Sequence, residues 1–172
     1  MKIAVRSFSG VKSDVSTWKL LVEFAREAED LGVDSLWTSE AWGTDAITPL
    51  AYLASHTSSI RLGTGIVQVG SRTPGSLVMT SVTMQSMSEG RFILGLGTSG
   101  PQVMEGWHGV GFGNPVIRTR EMIEIVKMGM SGEALTSSGK HYLLPLPGGE
   151  GKAIRTSAPA SQLPIFVASL GP

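Results

Sequence analysis

The residues of this chain whose types and spacing could do chemistry gather at a few points. One is the run Ser59-Ile60-Arg61-Leu62-Gly63-Thr64-Gly65-Ile66, followed closely by Arg72-Thr73-Pro74. Its apolar and β-branched residues read as a buried strand. Glycine weakens a strand interior, so Gly63 and Gly65 call for a bulge or for a flat ligand lying on bare backbone. On these residues alone, a tight turn without a ligand accounts for the run equally well. Glu40 offers a carboxylate at the end of an earlier strand pattern, or a solvated rim charge. Thr98 and Ser99 follow a later one with hydroxyls that suit a ligand's polar atoms as well as they suit a turn. Trp107 and His108 bring an indole and an imidazole, which could wall a substrate pocket or simply anchor their own loop. These types bind and orient a ligand. They form no nucleophile triad, and His56, His108 and His141 lie apart, with no metal-ligand spacing.

Gly95-Leu96-Gly97-Thr98-Ser99-Gly100 also matches the dinucleotide pattern G-x-G-x-x-G. That pattern must open a helix whose N-terminus receives the pyrophosphate, with an acid at the end of the next strand. Here Pro101 and a long loop follow, which argues against a nicotinamide-binding Rossmann unit.

The elements that must position these groups alternate. Residues 2–7 form a first strand. Ser16 or Thr17 caps a helix with Trp18, Leu21, Val22, Ala25, Ala28 and Leu31 at helical spacing, ended by Gly32. Residues 34–39 form a second strand, and Asp45 caps a helix through Ile47, Leu50, Ala51 and Ala54. The glycine-bearing run is the third strand. Thr73 as N-cap and Pro74 at the first helical position open a methionine-rich helix that stops at Gly90. Residues 91–97 are apolar throughout, as suits a strand covered on both faces. A long loop, 98–116, precedes a helix over about 118–131, and an irregular insertion at about 133–163 precedes a fifth strand over 164–169. Strict βα alternation predicts a parallel sheet covered by helices. A doubly wound sheet or part of a (β/α)8 TIM barrel would fit, and a whole barrel usually takes about 250 residues.

The chain has 172 residues, 14 Lys and Arg against 14 Asp and Glu, and no cysteine. That length supports one domain with a sizeable core. The cancelled charge leaves no electrostatic footprint for nucleic acid. No run is apolar and long enough for a bilayer, so the expectation is a cytoplasmic protein without disulfides or membrane contact.

Taken together, several segments resemble one family. They are Ser39-Glu40-Ala41-Trp42-Gly43-Thr44-Asp45-Ala46, Leu62-Gly63-Thr64-Gly65-Ile66, Arg72-Thr73-Pro74, Gly90-Arg91-Phe92-Ile93-Leu94-Gly95-Leu96-Gly97 and Glu105-Gly106-Trp107-His108-Gly109. In collinear order over the whole chain they are similar to the bacterial-luciferase-like superfamily, and most to its branch using coenzyme F(420), that of methylenetetrahydromethanopterin reductase. The resemblance implies an α/β fold of the (β/α)8 TIM-barrel type, cut to about the first five strands and four helices, in one domain spanning 1–172. It implies an oxidoreductase that moves a hydride between coenzyme F(420) and a small organic substrate, commonly as a homodimer. An FMN-dependent monooxygenase and an inactive fragment or half-barrel are the alternatives. It further implies a bulge with a non-proline cis bond at Gly65–Ile66 behind the ring, and cofactor contacts by Glu40, Thr64, Gly65, Ile66, Gly97, Thr98, Ser99 and Gly171. Trp107 and His108 would line the substrate pocket. Several relatives carry an Asp-His pair where this chain has Glu40-Ala41, so no imidazole is expected at that point.

Overall fold

A computed structural model describes residues 1–7 and 14–169. Along the chain run β1 (Ala4–Arg6), α1 (Val15–Asp30), β2 (Ser35–Thr38), α2 (Thr48–Ala54), β3 (Arg61–Thr64), β4 (Val67–Gln68), α3 (Pro74–Met87) and β5 (Phe92–Gly97). Then come α4 (Pro101–Met104), α5 (Pro115–Met130), β6 (Ser137–Ser138), β7 (Leu143–Leu144) and β8 (Ile165–Val167). Strands β1, β2, β3, β5 and β8 lie side by side, all parallel, and β6 and β7 form a small antiparallel hairpin. The expected long loop 98–116 contains the short helix α4, and the expected insertion 133–163 contains that hairpin.

β3 and β4 are one strand broken by a bulge. Leu62 pairs with Phe92 and Val67 with Leu96, so five steps on one strand face four on β5. The extra residue falls at Gly65–Ile66, and that peptide bond is cis. Such an insertion leaves part of the neighbouring ladder unmatched. Leu94 N–H donates to Pro164 on the β8 side, so the main-chain groups of Gly95 face the bulge. Thr64 Oγ1 takes the place of the missing backbone. It donates to Gly95 O (2.9 Å) and accepts from Gly95 N (2.8 Å).

The two faces of the sheet differ. Leu36, Leu62, Val67, Phe92, Leu94 and Leu96 are fully buried under the helices, against Ala25 of α1, Leu50 and Leu53 of α2, Leu77 of α3 and Met122 and Val126 of α5. The other face carries Trp37, Gly63, Gly95 and Phe166, with the Trp37 and Phe166 rings 5.7 Å apart. In a parallel sheet of this type the second face is the interior of the curve.

Local signals explain the helix starts. α1 is capped by Asp14, whose carboxylate accepts from Thr17 N, rather than by Ser16 or Thr17. Thr73 and Pro74 open α3 as the sequence predicts. The methionine stripe of α3 is split. Met84 is buried with Leu77 and Val78, while Met79 and Met87 are exposed. Trp42 is exposed as well.

Candidate active site at the open end of the sheet

The strands of the parallel sheet point their C-terminal ends the same way, and five of the expected site residues collect there. Gly65, Ile66, Gly97, Thr98 and Ser99 line one cleft of about 850 Å³, together with Ser169 beyond β8 and a flank of α5 that includes Thr119, Arg120 and Lys127. Gly171 lies outside the described residues.

The glycines of this region have different causes. A Cβ on Gly63 would sit 2.5 Å from the Trp37 ring, one on Gly95 1.8 Å from Thr64 O, and one on Gly97 2.8 Å from the Ile66 side chain. Their missing side chains make room for the protein's own atoms. Gly65 is the exception. It is exposed, and a Cβ there would meet nothing nearer than 3.6 Å. Its N–H donates to Thr38 O at 2.5 Å, which fixes it to β2. The result is a ledge of bare backbone at the cleft edge, continued by the half-buried Ile66 seated on Gly97.

Glu40 faces neither solvent nor the cleft. Its side chain is 7% exposed and forms a two-pronged pair with Arg72, at 2.7 and 2.9 Å. The same two oxygens accept from Gln68 N at 3.0 Å and Ala46 N at 3.1 Å. Four donors on one carboxylate tie the end of β2 to β4, to the start of α2 and to Arg72. Burial works against the Arg72 charge, but the Glu40 carboxylate and Asp45 outweigh it and hold the guanidinium more firmly protonated. Burial likewise opposes the charge on Asp45, yet N–H groups of Thr48 and Ile47 and the Arg72 charge pull its pKa below the usual value. Thr64, expected at the cofactor, spends its hydroxyl on Gly95 and is fully buried.

Trp107 is exposed, and neither it nor His108 lines the cleft. His108 instead meets Gln68, Nε2 to Oε1 at 2.7 Å. Gln68 and Arg72 are the parts of this network that sequence reasoning did not assign to the site. The signal for Gln68 is a polar residue within Ile66-Val67-Gln68-Val69, a strand-like run directly after the two glycines.

A parallel sheet with a cleft at its carboxyl edge, crossed by a bulged third strand, belongs to an α/β protein of the (β/α)8 type. The sequence model of the luciferase-like monooxygenase family matches residues 1–172, and the chain belongs to that family. It is 47% identical over 157 residues to a putative coenzyme F(420)-dependent oxidoreductase of Mycobacterium tuberculosis, covering 87% of this chain and 45% of the relative. A monooxygenase from Streptomyces bottropensis shares the fold with a TM-score of 0.84 at 21% identity, over 99% of this chain and 54% of that one. The coenzyme F(420)-dependent tetrahydromethanopterin reductase of Methanopyrus kandleri does so at 0.79 and 21%, over 99% and 50%. The chain spans about half the length of the curated relatives it matches. Among the described residues no helix is long and apolar enough to cross a membrane.

Proposed function

We propose that this chain is the ring-supporting part of an F(420)-dependent oxidoreductase that moves a hydride between the deazaflavin and a small organic substrate. The observation that carries the proposal is the bare ledge at Gly65, exposed, free of side chain and continuous with a cleft of about 850 Å³. A flat ring needs such a floor, because any side chain there would hold it off the backbone. The cleft is large enough for an extended cofactor, and hydroxyls of Thr98 and Ser99 stand at its edge. The residues present therefore fit the group. When bound, a deazaflavin supplies the carbon that gives or takes the hydride.

The chain's own residues do the rest. Gly65 and Ile66 back one face of the ring, and the tie from Gly65 N to Thr38 keeps that backing rigid. Gly97 lets Ile66 lie flat. Thr98 and Ser99 give hydrogen bonds to ring or side-chain polar atoms. Glu40 and Thr64 act one layer back, by fixing the strand on either side of the bulge. Arg120 and Lys127, on the flank of the cleft, favour anionic groups of a cofactor tail. Trp107 and His108 stand on the loop outside this cleft, His108 held by Gln68. A cytoplasmic homodimer accords with the resemblance.

FMN is the second reading, favoured by a Baeyer-Villiger monooxygenase of Pseudomonas putida, solved in complex with FMN, which shares the fold at a TM-score of 0.76. Titration of the chain with oxidised F(420) and with FMN, followed by fluorescence, separates them. Tighter binding of F(420) is the expected result, and binding of FMN alone would replace the deazaflavin proposal with the flavin one.

A further inference from the structure

The imidazole of His108 is not used by the ring-supporting ledge, yet the fold controls it closely. Gln68 is 2% exposed, and its amide has one permitted orientation. Its Nε2 faces two carbonyl oxygens, Glu40 O and Ala41 O, each at 3.4 Å. Carbonyl oxygens only accept, so the nitrogen must point to them and Oε1 must point to His108. The amide oxygen is itself only an acceptor. The 2.7 Å contact therefore requires a proton on His108 Nε2. In the neutral ring the lone pair is then left on Nδ1. Among the described residues Nδ1 has no hydrogen-bond partner, and the residue is half-buried.

Several anchors keep Gln68 from adapting to its neighbour. Its N–H is held by Glu40 Oε1, and its carbonyl accepts from Ser71 N and Ser71 Oγ. It stands two residues beyond the Gly65–Ile66 bond, so the ledge and the imidazole are fixed by one short strand. The loop side is fixed too, since His108 N donates to Val103 O of α4 at 3.1 Å.

We propose that Gln68 is a positioning residue that locks His108 in its Nε2–H form and so presents Nδ1 as an acceptor for a ligand O–H or N–H at the open end of the sheet. The use of the acceptor rests on the reading that the open end of the sheet binds a ligand, whereas the locked tautomer does not.

Nitrogen-15 NMR of the histidine rings in the native chain, at a pH where the imidazole is neutral, reads the tautomer directly. The expected pattern is a protonated Nε2 and a bare Nδ1 at His108, lost to a mixture in Gln68→Leu. A native Nδ1–H tautomer, or an unchanged tautomer in folded Gln68→Leu, overturns the lock. Diethyl pyrocarbonate, which needs an open unprotonated ring nitrogen, tests the acceptor. Labelling of His108 supports it, and an unreactive His108 overturns it. F(420) binding is measured separately by fluorescence. A chain that binds no cofactor but shows the locked tautomer defeats the functional proposal and leaves this one standing.

Discussion

Replacing Thr64 by Val probes the bulge without changing the volume of the side chain. The native hydroxyl both donates to and accepts from Gly95, at 2.9 and 2.8 Å, in a fully buried position. Valine removes both bonds and leaves the N–H and C=O of Gly95 facing a methyl group. Each lost bond is worth about 1 kcal/mol, and each orphaned buried group costs about 1–3 kcal/mol. Part of that is returned because valine has no hydroxyl to desolvate. The net expectation is a loss of about 2–4 kcal/mol. For a domain of this size that is a fall in Tm of roughly 5–15 °C. Thr64→Ser keeps the hydroxyl and gives up one methyl, so it should lose only about 1 kcal/mol. Urea unfolding followed by tryptophan fluorescence measures both variants. A Thr64→Val chain within about 0.5 kcal/mol of native, or a Ser variant as weak as the Val variant, would refute the claim that this hydroxyl replaces the broken ladder.

Three further outcomes follow from the same geometry. Glu40→Gln cannot form the two-pronged pair and leaves a largely buried Arg72 without its counter-charge, so stability should fall by about 2–4 kcal/mol, with part restored in the double variant carrying Arg72→Met. For Glu29, burial raises the pKa, but N–H groups of Ile60, Ser59 and Ser58 and the Ser59 hydroxyl outweigh it and lower it from 4.5 to about 2. A folded pKa below the unfolded one stabilises at higher pH and is lost as pH falls from 4.5 towards 2; solvent screening reduces the effect to about 1–2 kcal/mol, and Glu29→Gln should flatten that part of the acid unfolding curve. Gly95→Ala places a Cβ 1.8 Å from Thr64 O and should cost about 3 kcal/mol or more in denaturant unfolding, while Gly65→Ala, with nothing nearer than 3.6 Å, should stay within about 1 kcal/mol of native.

The alternation of elements was legible because parallel strands buried on both faces leave continuous apolar runs, as at Phe92-Ile93-Leu94, and because Thr73-Pro74 is a strong helix start. The bulge was legible as two glycines in such a run. Which glycine stays open was not, since Gly63, Gly95 and Gly97 make way for Trp37, Thr64 and Ile66, partners set by tertiary contact. Glu40 illustrates the same limit. Its position at a strand end marks it as a rim carboxylate, but the pairing that buries it comes from Arg72, 32 residues further on. Asp14 rather than Ser16 caps α1 because its carboxylate reaches Thr17 N, a choice between neighbouring capping residues that local sequence leaves open. Thr64 looked like a ligand contact until the register showed which backbone groups the bulge leaves unmatched.

The central claim is that Gly65 is the floor of a ring-binding cleft. Equilibrium titration of the native and Gly65→Ala chains with oxidised F(420), read by fluorescence at matched stability, tests it most directly. Saturable binding by the native chain, weakened about tenfold or more by the added methyl group, is the predicted result. No binding by the native chain, or equal binding by both, would contradict it.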